Sequence, residues 1–215
     1  MELITGAIPC DDQPINGATL MGENRFLTSW ITPNSLEIKE KYRELTTNII
    51  SQRDRITALW SYVKDIPYIQ FVPTSTRVAG KVYQQNDTWL DPAQAIKAKR
   101  LNCFNKSVLL SSLLRQELPP EQVYVCLNNV EYDGIDGHAV SYLQLDEHYL
   151  LETTNPGIKS PFLLARDMDI YNAVLFFNDK GVYNVPDIAL REPLGFCCLP
   201  FLCDYVNAKL CDSYV

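Results

Sequence analysis

One segment of the chain predicts a helix with apolar side chains around nearly its whole circumference. Asn102 is a typical N-cap residue, and Pro119 and Pro120 lie where the helix has to end. The apolar positions between them do not keep to one stripe: Val108, Leu109, Leu110, Leu113 and Leu114. A helix of this kind has to be enclosed by other elements. We therefore expect residues 103–116 to form a core helix around which the rest of the chain packs.

The length and composition of the chain are sufficient for such a core. It has 215 residues, of which 47% are hydrophobic, and a domain of this size needs no disulfide or metal to stabilise its interior. The seven cysteines are an odd number, which favours free thiols over a disulfide framework. We expect a single domain spanning residues 1–215.

The balance of charges argues against two classes of partner. Asp and Glu number 26 against 19 Lys and Arg, which gives a formal net charge of −7. Proteins that bind nucleic acid or anionic membranes gain affinity from a surplus of cationic side chains, which this chain lacks. No apolar run is long enough to span a membrane, and the first residues lack the pattern of a secretory signal. We expect a cytoplasmic protein with neither nucleic acid nor a membrane as its partner.

The order of helical and strand patterns is typical of an α+β fold. Helical patterns begin at Asn34, continue through Ile56–Val63 until Pro67, and recur over residues 92–100, 103–116 and 158–173. Strand patterns cover residues 122–130, 138–145, 149–154, 174–177 and 182–185. The segment Asn178–Gly181 has the composition of a hairpin turn. We expect the helices to pack on an antiparallel sheet that the later strands form.

A nucleophile, a base and an acid fall where a fold of this type can bring them together. Cys103 begins the core helix, where the positive end of the helix dipole favours a thiolate. Of the two histidines, His138 begins a predicted strand and is suited to exchange a proton with that thiol, whereas His148 falls in a predicted exposed turn. Glu152 lies on the following strand and is suited to orient the imidazole. The backbone N–H of Cys103 is the expected oxyanion donor.

The register of the two strands decides whether His138 and Glu152 face each other. Side chains alternate between the two sides of a strand, so a shift of one residue turns every side chain over. A two-residue turn over residues 146–147 puts Glu152 on the opposite side from His138. A three-residue loop over residues 146–148 puts it on the same side, and the triad needs this second register or a bulge.

Five stretches of the chain, taken in order, resemble the transglutaminase-like superfamily, and in particular its bacterial and archaeal cysteine-protease-like members. They are Trp60–Tyr68, Trp89–Pro92, Leu101–Arg115, Gly137–Val140 and Tyr149–Thr154. The resemblance covers a core of about residues 50–157. It leaves an N-terminal helical extension and a C-terminal cysteine-rich extension outside that core.

The resemblance implies a papain-like fold in which the nucleophile helix packs on an antiparallel sheet. It also implies a catalytic triad of Cys103, His138 and Glu152 and a covalent thioacyl intermediate, with no cofactor and no metal. The substrate is then a protein or peptide that is attacked at a peptide or carboxamide carbonyl. The acceptor is water or an amine, and we favour hydrolysis because water is always present.

Several positions depart from the family pattern. Leu101 and Asn102 stand where the family has Gly and then often Asp. Asn105 stands where the family has Asp, and Glu152 is one methylene longer than the usual Asp. Leu101 and Asn105 motivate an alternative, a transglutaminase-like module that keeps the fold for binding while Cys103 is a buried, silent thiol.

The C-terminal cysteines allow a third class of function. No pair of them has the Cys-x-x-Cys spacing of a zinc site; they are Cys197, Cys198, Cys203 and Cys211. We expect these cysteines to be buried in an apolar tail. The alternative is that they bind a metal or have a redox function. The segment Asp133–Gly137 is too short for an EF-hand calcium loop and is interpreted as a turn.

Overall fold

In the computed structural model, the residues described are 8–10, 14–15, 25–70, 74–78, 81–85, 89–132, 135–167 and 171–184. The predictions for the cysteine-rich tail lie outside these residues; they concern Cys197, Cys198, Cys203 and Cys211. The single domain over residues 1–215 stays a prediction.

Helices dominate the first half of the chain and strands the second. The helices are α1 (Leu36–Thr46), α2 (Gln52–Asp65), α3 (Pro92–Ala95) and α4 (Cys103–Leu114). The strands are β1 (Ile8–Cys10), β2 (Pro14–Ile15), β3 (Arg25–Phe26), β4 (Thr74–Val78), β5 (Lys81–Gln85), β6 (Val123–Tyr132), β7 (Ile135–Gln144), β8 (His148–Leu151), β9 (Leu163–Leu164), β10 (Asn172–Phe177) and β11 (Val182–Asn184). Within the described ranges, no helix has the length and apolar character needed to cross a bilayer.

The main sheet has seven strands in the order β1-β11-β10-β6-β7-β8-β9, and every neighbouring pair is antiparallel. β10 and β11 form the hairpin predicted around Asn178–Gly181. Two further strand pairs, β2 with β3 and β4 with β5, lie outside this sheet. The long β6–β7 hairpin therefore lies in the middle of the sheet, with β10 on one side and β8 on the other.

The predicted core helix is α4, and all of its 12 residues are buried. It packs against β6 and β7 of the sheet and against α1, α2 and α3. Phe104 and Val108 belong to one apolar cluster, and Leu109, Leu110 and Leu113 belong to a second cluster that includes the apolar side of α2. The helix without a polar face is thus enclosed as its sequence requires.

The β7–β8 hairpin has a register that puts Glu152 on the same side as His138. Gln144 pairs with His148, so the loop consists of residues 145–147 and starts one residue earlier than predicted. The loop still has an odd number of residues, and side chains alternate along each strand. The alternation that the triad needs is therefore preserved.

Helix α1 begins one residue later than the sequence predicts. Its N-cap is Ser35 and not Asn34, because the Ser35 hydroxyl accepts the backbone N–H of Ile38. The helix ends at Thr46, and Asn48 beyond it has a positive φ of 68°. This left-handed conformation is typical of the residue just after a helix, and asparagine adopts it more readily than most residues.

The helix predicted over residues 158–173 is wrong. The described part of this segment contains the edge strand β9, a 3-10 turn at Ala165–Asp167 and the first residues of β10. Pro161 lacks the N–H that a helix interior requires. Phe162 and Leu164 pack against the second apolar cluster from this irregular, partly extended chain, so tertiary contacts replace the hydrogen bonds that a helix would have made.

Two segments predicted as turns belong to strands. His148 is the first residue of β8, and its Nδ1 lies 2.5 Å from the hydroxyl of Tyr142. The turn predicted at residues 132–137 is shorter, because Tyr132 still pairs with Ile135. In both places the neighbouring strand supplies hydrogen bonds that local composition does not reveal.

Helix α3 is shorter than its predicted range, which extended to residue 100.

Replacing Leu110 with Ala should lower the free energy of unfolding by about 2–5 kcal/mol, because the side chain is fully buried and its loss leaves a cavity. The matched control is Leu36→Ala, since Leu36 is 63% exposed on α1; it should change the stability by less than about 0.5 kcal/mol. Urea denaturation followed by circular dichroism measures both. Equal effects of the two substitutions would contradict the core position of α4.

Candidate active site

Cys103 is the first residue of α4, and hydrogen bonds fix the chain just before it. Asn102 caps the helix, because its Oδ1 accepts the backbone N–H of Asn105 at 2.8 Å. Leu101 is tied to the segment that follows α2 by two backbone hydrogen bonds of 3.0 and 3.1 Å. The nucleophile predicted from the sequence therefore lies at the positive end of a capped helix.

His138 and Glu152 meet across two adjacent strands. His138 lies in β7 and Glu152 directly follows β8, and the distance between His138 Nε2 and Glu152 Oε2 is 2.7 Å. His138 also makes a side-chain hydrogen bond with Cys103. The three residues singled out in the sequence therefore form one hydrogen-bonded chain, in which the imidazole lies between the sulfur and the carboxylate.

Glu152 is 1% exposed, and hydrogen bonds surround its carboxylate. Oε1 accepts the backbone N–H and the hydroxyl of Thr154 and the backbone N–H of Asn155. Oε2 accepts the Tyr171 hydroxyl at 2.7 Å in addition to the proton of His138 Nε2. A buried carboxylate that accepts this many donors is stabilised in its ionised form.

Tyr171 is a residue of this site that the sequence reasoning missed. Besides its hydrogen bond to Glu152, its ring centroid lies 5.7 Å from that of His138. It immediately precedes β10, which pairs with β6, and β6 pairs with β7. Only this order of strands brings Tyr171 to His138, and no local pattern in the sequence indicates the order.

The pKa values of the pair are shifted in opposite directions. Burial alone raises the pKa of the Glu152 carboxyl, but the charge of His138 and the hydrogen bonds outweigh burial and hold that pKa well below its usual range. Burial alone lowers the pKa of His138, but the charge of Glu152 and the hydrogen bond with Cys103 raise it to about 10. At neutral pH the site therefore favours a carboxylate beside an imidazolium.

Comparison with known proteins gives a likeness to solved structures only. No family model matches the sequence, and no curated protein matches it. LapG of Legionella pneumophila, in its EGTA-treated form, is similar with a TM-score of 0.50 and 14% identity, over 85% of this chain and 95% of that chain. A second LapG structure gives the same TM-score and identity and is covered to 93%. The calcium-bound form has a TM-score of 0.47 and 15% identity, over 69% of this chain and 88% of that chain.

The chain has the papain-like transglutaminase-core fold. The predicted α+β class, with a nucleophile helix packed on an antiparallel sheet, is confirmed. Because few residues are identical, the relationship to LapG is a distant structural one.

Two departures from the family pattern have structural explanations within the transglutaminase core. Leu101 is a fully buried member of the second apolar cluster. Asn105 Oδ1 accepts the backbone N–H of Leu90 at 2.8 Å and so holds the segment ahead of α3 beside the nucleophile helix. An amide oxygen accepts this hydrogen bond as a carboxylate oxygen would. Asn105 therefore supplies an acceptor that joins these two segments.

The longer Glu152 side chain also fits the transglutaminase core. It follows the end of β8, and its backbone carbonyl accepts the indole N–H of Trp60 at 2.8 Å. From this fixed backbone position, the extra methylene group still brings Oε2 to hydrogen-bonding distance of His138.

Replacing Glu152 with Gln should lower the pKa of His138 by more than about two pH units. The substitution keeps the size of the side chain but removes the negative charge that outweighs burial, and burial disfavours the imidazolium. The midpoint of the His138 titration, followed by NMR of the imidazole, measures the change.

The chain has two histidines, so a His148→Gln variant leaves one imidazole and thereby assigns the signal of His138. An unchanged midpoint for His138 in the Glu152→Gln variant would show that the carboxylate does not control the imidazole.

Proposed function

We propose that the protein is a thiol-dependent hydrolase that cleaves peptide or carboxamide bonds through a thioacyl intermediate. In this proposal Cys103 is the nucleophile, His138 is the acid and base, and Glu152 orients the imidazole. The observation that carries the proposal is the hydrogen-bonded chain from Cys103 through His138 to Glu152, with 2.7 Å between Nε2 and Oε2. Nucleophile, base and orienting group in this order are the components of a catalytic triad.

The electrostatics of the site support an activated nucleophile. Glu152 and the hydrogen bond with Cys103 raise the pKa of His138, despite burial, to about 10, so the ring is cationic at neutral pH. A cationic imidazole and the N-terminus of α4 both stabilise a thiolate at Cys103. The thiolate is the nucleophilic form of cysteine.

In the first step of the proposed reaction, the Cys103 thiolate attacks the carbonyl carbon of the substrate. A carbon–sulfur bond forms, and the carbon–nitrogen bond breaks as the tetrahedral intermediate collapses. The imidazolium of His138 gives its proton to the nitrogen, so the amine or ammonia leaves neutral. The backbone N–H of Cys103 is the proposed donor to the oxyanion.

In the second step, water attacks the thioester carbon while the neutral imidazole of His138 takes one of its protons. The carbon–sulfur bond breaks and a carboxylic acid is released. The thiolate of Cys103 and the imidazolium of His138 are restored, so no external acid or base is consumed. Glu152 keeps the ring oriented and stabilises its charge whenever it is protonated.

The acceptor in the second step distinguishes a hydrolase from an acyl transferase. Water serves the hydrolase, and an amine in the same position would give transamidation. We propose hydrolysis of a protein or peptide substrate, because water is always available to the thioester. Ammonia release from a glutamine peptide, compared with incorporation of an added amine into it, separates the two reactions.

No step of the proposed mechanism involves a metal ion. One LapG structure is calcium-bound, but the described part of this chain contains no group of three or more His, Cys, Asp or Glu side chains placed to hold a metal ion. The proposed steps are balanced by the thiol, the imidazole and water alone.

We propose a cytoplasmic location for the protein as well.

One observation favours the alternative function, a transglutaminase-like binding module with a silent thiol. Cys103 is 0% exposed and belongs to an apolar cluster with Trp89 and Phe104, whose rings stack with centroids 3.8 Å apart. A substrate must reach this sulfur by an opening of its surroundings. The two functions therefore differ in whether the folded protein exposes a reactive thiolate.

The pH dependence of iodoacetamide labelling tests the proposal. Trypsin cleaves after Arg100 and Lys106, so the peptide of residues 101–106 contains Cys103 as its only cysteine, and mass spectrometry reads its modification. We expect labelling of the folded protein to persist well below pH 7. In a His138→Ala variant it should rise only near the free-thiol value of about 8.5.

Cys126 provides a matched internal control. It is a second buried cysteine, but burial raises its pKa well above the usual value, so its peptide should be labelled only slowly in the same samples. A Cys103→Ala variant shows the background. If Cys103 reacts only after denaturant is added, the silent module is the correct function.

Activity against peptide and glutamine amides completes the test. A Cys103→Ser variant should lose measurable hydrolysis, and Glu152→Gln should lower kcat by about 10²–10⁴ because the imidazole loses its orienting charge. Leu36→Ala, on the exposed side of α1, should keep the activity of the wild type. Hydrolysis that survives in the Cys103→Ser variant would rule out the thioacyl mechanism.

A further inference from the structure

Lys106 is a buried cation that the proposed mechanism does not use. It lies one helical turn after Cys103 on α4 and is 1% exposed. Its ammonium donates to the backbone carbonyl oxygens of Lys64 and Thr153, at 3.0 and 3.1 Å. A lysine is seldom buried to this degree unless its ammonium is held by acceptors.

The Thr153 carbonyl is one of a row of acceptors that hold the chain beside Glu152. The carbonyl of Glu152 itself accepts the indole N–H of Trp60, and the carbonyl of Asn155 accepts the ammonium of Lys64 at 2.7 Å. We call these three carbonyls and their donors the carbonyl clamp. Of the three donors, Lys106 is the one that lies on α4, the helix of the nucleophile.

The clamp acts on the same short segment that cradles the carboxylate. The segment of residues 152–155 supplies the Glu152 side chain and the Thr154 and Asn155 N–H groups that bind it. Lys106 holds the backbone in the middle of this segment. A displacement of the Thr153 carbonyl would therefore move the carboxylate relative to the imidazole.

We propose that Lys106 is a positioning residue, which fixes Glu152 opposite His138 by tying the nucleophile helix to the Thr153 carbonyl. The inference rests on the proposed function, because it assigns Lys106 a part in aligning the same triad. It adds a fourth side chain, with no contact to the reacting atoms, to the three that carry the chemistry.

The charged groups around Lys106 and His138 affect the pKa values of both residues, so a test by titration has to take them into account. Lys106 faces Lys64 and Asp65 from α2 and Glu152 from the end of β8. Burial, followed by the charge of Lys64, lowers the pKa of Lys106 to about 8, so the ammonium form is favoured at neutral pH.

Among the described residues, the groups that face His138 are Glu152 from the end of β8, Cys103 from α4 and Tyr171 from the start of β10. Of these, Glu152 and Cys103 are the ones that raise the pKa of His138, by charge and by hydrogen bonding. A change in the position of Glu152 should therefore change the pKa of the His138 imidazole directly.

The two roles that Lys106 could have predict opposite changes at His138. As a mere positive charge, Lys106 disfavours the imidazolium, so its removal would raise the pKa of His138. As a positioning donor, it keeps the Glu152 carboxylate in contact with the imidazole, so its removal weakens the pair and lowers the pKa of His138. The sign of the change therefore distinguishes the two roles.

The experiment is NMR titration of His138 in the full chain with the substitution Lys106→Met, which keeps the unbranched side chain as far as the ε position and removes the ammonium with its donors. We expect the midpoint to fall by about one pH unit or more, but by less than in Glu152→Gln. Lys180→Met removes the same charge from a side chain that is 64% exposed in the β10–β11 hairpin, and it should leave the midpoint unchanged.

Far-UV circular dichroism establishes that each variant is folded. If Lys106→Met does not fold, Lys106→Gln replaces it, since its amide ends one bond earlier than the ammonium and should lower the midpoint in the same direction. A midpoint that stays the same or rises in the folded variant overturns the positioning role.

The wild-type titration separates this inference from the proposed function. If His138 of the wild type titrates near its usual value of about 6.5, the site does not hold an imidazolium at neutral pH, and the proposed function is contradicted. If the wild-type midpoint is high and Lys106→Met leaves it in place, only the role of Lys106 fails.

Discussion

The hydrogen bond between Glu152 and His138 is the interaction on which the rest of the site depends. A carboxylate that is 1% exposed would be very costly to keep ionised without partners, and the turn after β8 together with Tyr171 supplies those partners. Its retained charge outweighs the desolvation of His138 and raises the pKa of the imidazole to about 10. The protonation of the ring next to Cys103 is thus set by the backbone geometry of a four-residue segment on the far side of that ring.

Much of this arrangement could be predicted, because it depends on local signals. Asn102 marks the start of the core helix, and that fixes Cys103 at its N-terminus. Strand alternation then requires an odd loop between β7 and β8, or a bulge, for a contact between His138 and Glu152, and the observed loop of residues 145–147 is odd. The loop begins one residue away from the prediction, yet the argument holds, since it rests on alternation and not on the precise turn.

The parts that could not be predicted depend on the order of strands and on contacts between distant segments. Tyr171 reaches Glu152 only because β10 pairs with β6, and nothing in its own neighbourhood indicates that. Lys106 looks like a polar interruption in an apolar helix until Lys64 and Thr153 are seen to offer their carbonyls. The helix predicted over residues 158–173 is wrong for a similar reason: Phe162 and Leu164 pack against a cluster of residues that are distant in the sequence, and the segment itself does not indicate this contact.

The buried polar side chains of α4 explain how a helix that is buried on all sides is held in one orientation. Apolar contacts are non-directional, so they enclose the helix without fixing its rotation or its position along the axis. Directed hydrogen bonds add that information when every buried polar group has a partner. On α4 these bonds reach five different parts of the fold: Asn105 accepts from Leu90, Lys106 donates to Lys64 and Thr153, Ser111 donates to Tyr124, and Ser112 accepts from Thr32. Because Cys103 is the first residue of the same helix, the bonds that set its rotation also set the direction from which its sulfur meets the imidazole.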